Sequence, residues 1–93
     1  MIDFSNMIGK PLRHCFTPAD LASVTFVFED GMRRSFGCTD KKGKRGTVAH
    51  FATPTQVEGS TFSAVNATLS RINTNRGTIE IDWSASELIE LPE

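Results

Sequence analysis

The sequence predicts a mostly β chain, a small antiparallel sheet or partly open barrel of about five strands with short helical turns at its two ends. Three observations carry this expectation. Residues Ala22 to Glu29 alternate strictly, with Val24, Phe26 and Phe28 on one side and Thr25, Val27 and Glu29 on the other. Glu29-Asp30-Gly31 follows at once as a turn signal. A second alternating segment, Thr78 to Trp83, comes after Asn73-Thr74-Asn75-Arg76-Gly77, whose residues suit a tight turn and mark a second hairpin.

The register of the first hairpin can be read from its side chains. A two-residue turn at Asp30-Gly31 would set Phe28 against Arg33, Phe26 against Ser35 and Val24 against Gly37, leaving the aromatic face without apolar partners. A three-residue turn over Glu29, Asp30 and Gly31, with Gly31 as a left-handed bulge residue, sets Phe28 against Met32 and Val24 against Phe36. Phe26 then faces Arg34. A one-residue slip would move every side chain to the other face, so the pattern selects the second turn.

The other elements follow in chain order. Asp3 can cap a helical turn over residues 3 to 8 in which Phe4, Met7 and Ile8 share a face and which Gly9 ends. Pro11 and Pro18 bracket Leu12 to Thr17, a short edge strand. Thr39 to Gly46 is a polar loop, and Thr47 to Thr53 reads as a third strand of the hairpin's sheet, with Val48 and His50 alternating against Ala49 and Phe51. Thr61 to Ile72 fits both a helical and a strand period. Its Thr, Ser and Asn content favours a strand with a bulge near Ser63. Ser84 or Ser86 can cap a final helical turn that packs Leu88, Ile89 and Leu91 and stops at Pro92.

At 93 residues, with 39% hydrophobic residues and seven Phe, the chain suits one domain over residues 1–93. A net charge of −1 argues against a protein that coats nucleic acid. Six of the ten basic residues, Arg33, Arg34, Lys41, Lys42, Lys44 and Arg45, nevertheless fall in one short stretch. The two cysteines make no disulfide framework and no signal peptide opens the chain, so a cytoplasmic location is expected. No apolar run approaches the roughly 20 residues of a membrane span, so no membrane insertion is expected.

Asp40-Lys41-Lys42-Gly43-Lys44-Arg45-Gly46 is the stretch best suited to binding. Clustered ammonium and guanidinium groups with glycine-exposed amides can hold an anion, although the loop lacks P-loop spacing; a plain solvated loop is the bland alternative. Trp83 can stack a base or anchor an interface, or simply pack inside. His14, Cys15, Cys38 and His50 have zinc-ligand chemistry, but adjacent His14 and Cys15 point to opposite strand faces, so no metal is expected. Cys15 or Cys38 with His50 as base would make a minor thiol enzyme, against the usual role of a free cysteine as a small hydrophobe. Paired carboxylates from Glu29, Asp30, Glu80 or Asp82 are no better supported as acid–base groups.

Gly9-Lys10-Pro11-Leu12, the strand into Phe28-Glu29-Asp30-Gly31, and Arg76-Gly77-Thr78-Ile79-Glu80-Ile81-Asp82-Trp83 together resemble small β proteins of unknown function found in phages and bacteria. The present chain has Lys41 to Arg45 where those proteins carry an acidic, cysteine-rich stretch. The resemblance implies a phage accessory protein, acting in the host cytoplasm as an anti-CRISPR-like inhibitor of host defence. The expected partner is a host protein, contacted through Arg33, Arg34, Lys41, Lys42, Lys44, Arg45 and Trp83 without a cofactor. The alternatives are a nucleotide or cyclic-nucleotide sequestering protein, which a homo-oligomer interface could complete, and the Cys/His enzyme.

Overall fold

A computed structural model describes residues 1–92. Among the described residues eight strands form two antiparallel sheets. The first sheet holds β1 (Leu12–Phe16), β2 (Val24–Phe28), β3 (Arg33–Thr39) and β8 (Glu87–Leu91), in that order. The second holds β4 (Val48–Ala52), β5 (Phe62–Val65), β6 (Arg71–Thr74) and β7 (Gly77–Trp83), ordered β4-β7-β6-β5. The chain is mostly β as expected, but with eight strands in two sheets in place of about five in one, and the two sheets do not close into a barrel.

The first hairpin has the register its side chains demand. Val24 pairs with Phe36 and Phe26 with Arg34, while the Phe28 amide donates to the Met32 carbonyl at 2.8 Å. Gly31 sits at φ 92, a conformation that costs a residue with a Cβ. Lys10 closes over the turn through a 2.8 Å ion pair with Asp30.

The edge strand β1 also lies where the two prolines place it. Near the N-terminus the helical content is one 3-10 turn, Ser5–Met7, with the Asp3 carboxylate accepting from the Ser5 amide at 2.8 Å. Met7 is buried and Phe4 packs on the core, but Ile8 turns outward and is 41% exposed. Ile8 bridges Phe62 instead, and Pro11 bridges Thr61, tying the β1 edge to the start of β5.

Three further expectations are corrected. β4 is not a third strand of the hairpin's sheet: the chain crosses to the second sheet and β4 pairs with β7. A register shift between Val48 and His50 breaks its simple alternation, so Val48 and Phe51 turn inward while His50 is exposed. Thr61 to Ile72 is two strands, not one, joined by a turn built on Asn66. The Asn66 side-chain oxygen accepts from the Ser70 and Arg71 amides at 2.9 and 3.1 Å. The expected bulge is present, as a register shift between Phe62 and Ala64. The last segment is a strand, β8, because extended pairing with β3 satisfies the β3 edge, which β4 leaves open.

Both sheets feed one buried cluster. Met7, Leu12, Val24, Phe26, Phe28 and Phe36 meet Val48, Phe62, Leu69, Ile72, Ile79 and Ile81 there. Phe62 of the second sheet stands edge-on to Phe26 and Phe28 of the first, with ring centroids 5.7 and 5.6 Å apart. Edge-to-face geometry of this kind adds to the burial of apolar area.

The two passages between sheets, β3 to β4 and β7 to β8, run side by side. The Ser84 amide donates to the Thr47 carbonyl at 2.9 Å, and the Thr47 amide to the Ser84 hydroxyl at 2.7 Å. A Cβ on Gly46 would come within 2.7 Å of both Cys38 Sγ and Ser84 Oγ, so the crossing requires glycine. The lysine-rich loop projects from this crossing.

Candidate functional site: a basic hairpin at the crossing between sheets

The loop is a closed hairpin. Thr39 and Arg45 form an isolated antiparallel bridge, and the Asp40 amide donates to the Lys44 carbonyl at 2.9 Å. Inside the turn, one Asp40 carboxylate oxygen accepts from both the Lys42 and Lys44 amides at 2.9 Å. The Thr39 hydroxyl donates to the Lys44 carbonyl at 2.9 Å. The amides of Asp40, Lys42, Gly43 and Lys44 are thus bonded within the loop, and Lys41, Lys42 and Lys44 are exposed. Among the described residues these three lysines form no salt bridge.

This arrangement decides what the loop can bind. Successive amides in a turn make an anion cradle when they are free. Here the cradle already holds Asp40's own carboxylate, whose charge would also repel a phosphate. The available chemistry is three ammonium groups on a well-defined tip, suited to carboxylates spread over a surface.

The remaining basic residues have separate fates. Arg45 Nη2 donates to the Ala22 carbonyl at 2.7 Å and stitches the hairpin to the β1–β2 loop. Arg34 forms a two-pronged pair with Glu90, donating from Nε and Nη2 at 2.7 Å each. Its Nη1 donates at 2.8 Å to both the Asp3 carbonyl and Asn6 Oδ1, and its guanidinium lies 5.1 Å from the Phe36 ring centroid. Arg34 therefore joins the N-terminal turn, β3 and β8, with four of its five N–H donors used.

Arg33 and Arg34 open β3 while the lysines stand beyond its other end, roughly 20 Å away at about 3.3 Å per residue. β3 does not bring them to the lysine loop.

Trp83 is half-buried against the core, and its indole donates to the Leu69 carbonyl at 3.2 Å. It lines a cleft of about 740 Å³ with Ile2, Thr68, Ser70, Ile81 and Leu88, to which no residue of the basic hairpin contributes. A nucleotide site needs the base platform and the phosphate cradle together. Here one is elsewhere and the other is filled.

The thiols and histidines do not converge. Cys38 is 1% exposed and its Sγ donates to the Thr47 carbonyl at 3.6 Å. Burial pushes the Cys15 thiol far above its ordinary range, which keeps it protonated. His14 lies exposed on β1 and His50 exposed on β4 of the other sheet. Among the described residues, no three His, Cys, Asp or Glu side chains stand together as a metal site, and no helix is long and apolar enough to cross a membrane.

Two contributors were not singled out from sequence, Asp40 as the organiser of the hairpin and Leu21 beside it. Asp40 had a legible signal, because Asp before Gly-containing turns commonly bonds amides further on. Leu21 had none, since its significance lies in a backbone conformation that leucine rarely adopts. The fold and site together define a small two-sheet antiparallel β protein with a basic hairpin at its sheet crossing. Compared with protein families, curated proteins and solved structures, the chain matches none.

Proposed function

We propose that this chain is a non-enzymatic binding module that occupies an acidic surface of another protein. The reading extends to a phage accessory protein that blocks a host defence system in the host cytoplasm, in the manner of anti-CRISPR proteins. The observation that carries the binding role is the Asp40-closed hairpin, which holds Lys41, Lys42 and Lys44 outward with no salt bridge among the described residues. A preformed charged tip loses little freedom on binding and speeds encounter with an opposite charge. The resemblance to small β proteins of unknown function found in phages and bacteria is what supports the biological setting.

The test compares proteins captured from lysate of the source cell by the wild-type chain and by K41E/K42E/K44E, with each captured protein identified by mass spectrometry. Arg45 is left in place because it holds the fold. The proposal predicts a protein retained at low salt, released as salt rises, and absent with the variant. Capture unaffected by charge reversal, or no capture by the wild type, overturns it.

A further inference from the structure

The β1–β2 loop reaches the same end of the first sheet as the basic hairpin and presents Leu21 there. This leucine is 43% exposed and has φ 57. A lone exposed leucine is ordinary, but an exposed leucine in left-handed backbone combines an unburied apolar group with strain that Asn or Gly would avoid. Strain of this kind persists where surrounding bonds enforce it and gathers at functional positions.

The enforcing bonds lead directly to the hairpin. The Leu21 amide donates to the Pro18 carbonyl at 2.9 Å, and the Leu21 carbonyl accepts from the Val48 amide at 2.7 Å. The Ala22 amide donates to Asp20 Oδ1 at 3.1 Å, while the Ala22 carbonyl takes the Arg45 guanidinium at 2.7 Å. The residue after Lys44 thus grips the residue after Leu21. Phe16, 42% exposed, ends β1 at this same end of the sheet.

We propose that Leu21 is the apolar anchor of the interface that the lysine hairpin steers. The partner is then an acidic protein segment carrying apolar side chains among its carboxylates, not a uniformly polar anion. This rests on the reading of the hairpin as a protein contact. Interfaces concentrate affinity in a few apolar anchors, and surrounding charges supply encounter rate and register.

Fluorescence anisotropy tests the anchor with two synthetic peptides. In one, Asp and Glu flank a Leu-Phe centre; in the other, the same acidic residues flank serines. The wild type is expected to bind the first more tightly. Leu21→Asn keeps the backbone conformation, so it should melt no lower than wild type, weaken the first peptide by about tenfold or more, and leave the second unchanged. Ile8→Asn alters an equally exposed apolar residue at the opposite end of β1 and should leave both affinities unaltered.

Equal affinity for the two peptides, or unchanged binding by Leu21→Asn, overturns the anchor. If K41E/K42E/K44E then abolishes binding, the charged contact stands alone; if it does not, both readings fall. Phosphatidylserine vesicles bound in preference to the first peptide, through Leu21, would overturn the protein partner in favour of a lipid surface.

Discussion

Arg34 and Glu90, far apart in sequence, meet across β3 and β8 as a two-pronged ion pair with both bonds at 2.7 Å. The pair is lopsided in burial, the arginine side chain being 10% exposed and the glutamate 38%. Hydrogen bonds from Arg34 hold the Glu90 carboxyl below its usual range. Hydrogen bonding to Ser5 does the same for Asp3, and Lys10 for Asp30. Depressed carboxyl pKa values contribute stability that is present above the unfolded range, near pH 4, and is lost as pH falls through the lower folded values. Thermal melts across that window should show stability falling with acid, and Glu90→Gln should flatten part of the fall. Arg34→Lys, which keeps the charge but not the fork, should cost about 1 to 2 kcal/mol at neutral pH in a denaturant titration.

Phe62 links the two sheets. Its ring sits edge-on to Phe26 and Phe28, and it is 1% exposed. Phe62→Ala should lower unfolding free energy by about 3 to 5 kcal/mol. Phe62→Leu should lose clearly less, because much of the volume is kept.

Asp40 fills the amide cradle of the hairpin. Asp40→Ala should therefore expose the Lys42 and Lys44 amides and give the chain an affinity for inorganic phosphate that the wild type lacks. Calorimetric titration with phosphate reads this directly, and amide resonances of Lys42 and Lys44 should shift only in the variant.

The two thiols should be slow. Cys38 is buried and Cys15 is held protonated by burial. Native protein at neutral pH should react with a disulfide reagent far more slowly than denatured protein. Rapid modification of one cysteine in the native state would restore thiol chemistry as a reading of this chain.

The parts of this fold legible in sequence are those where one local pattern has one good solution. The Phe28–Met32 hairpin is such a case, since only the Gly31 turn pairs the aromatic face with apolar residues. Elsewhere a tertiary choice intervened. Neighbouring strands usually pair, which from sequence puts β4 beside β3. The crossing depends instead on Gly46 fitting against Cys38 and Ser84, a fit between distant segments. The turn between β5 and β6 hides because Leu69 takes φ 53, where sequence reasoning would look for Gly or Asn. Leu69 is fully buried and Asn66 supplies the turn's bonds, which together hold it there. Leu88, Ile89 and Leu91 are too short an apolar run for periodicity to separate helix from strand, and the open β3 edge decides.

For the site, the lysine loop could be found from charge alone. Its separation from Arg33 and Arg34 could not, because sequence proximity concealed that β3 places them at opposite ends. Nor could composition show that Arg34 and Arg45 are occupied with holding the structure.

Hydrogen exchange of the chain alone and bound to the protein it captures locates the contact surface directly. Binding through the basic hairpin should add amide protection over residues 39–46 and 19–22 and leave the Trp83 cleft unchanged. Protection confined to the cleft around Trp83 or to the outer edge of β8, with the basic hairpin exchanging as in the free chain, would contradict it.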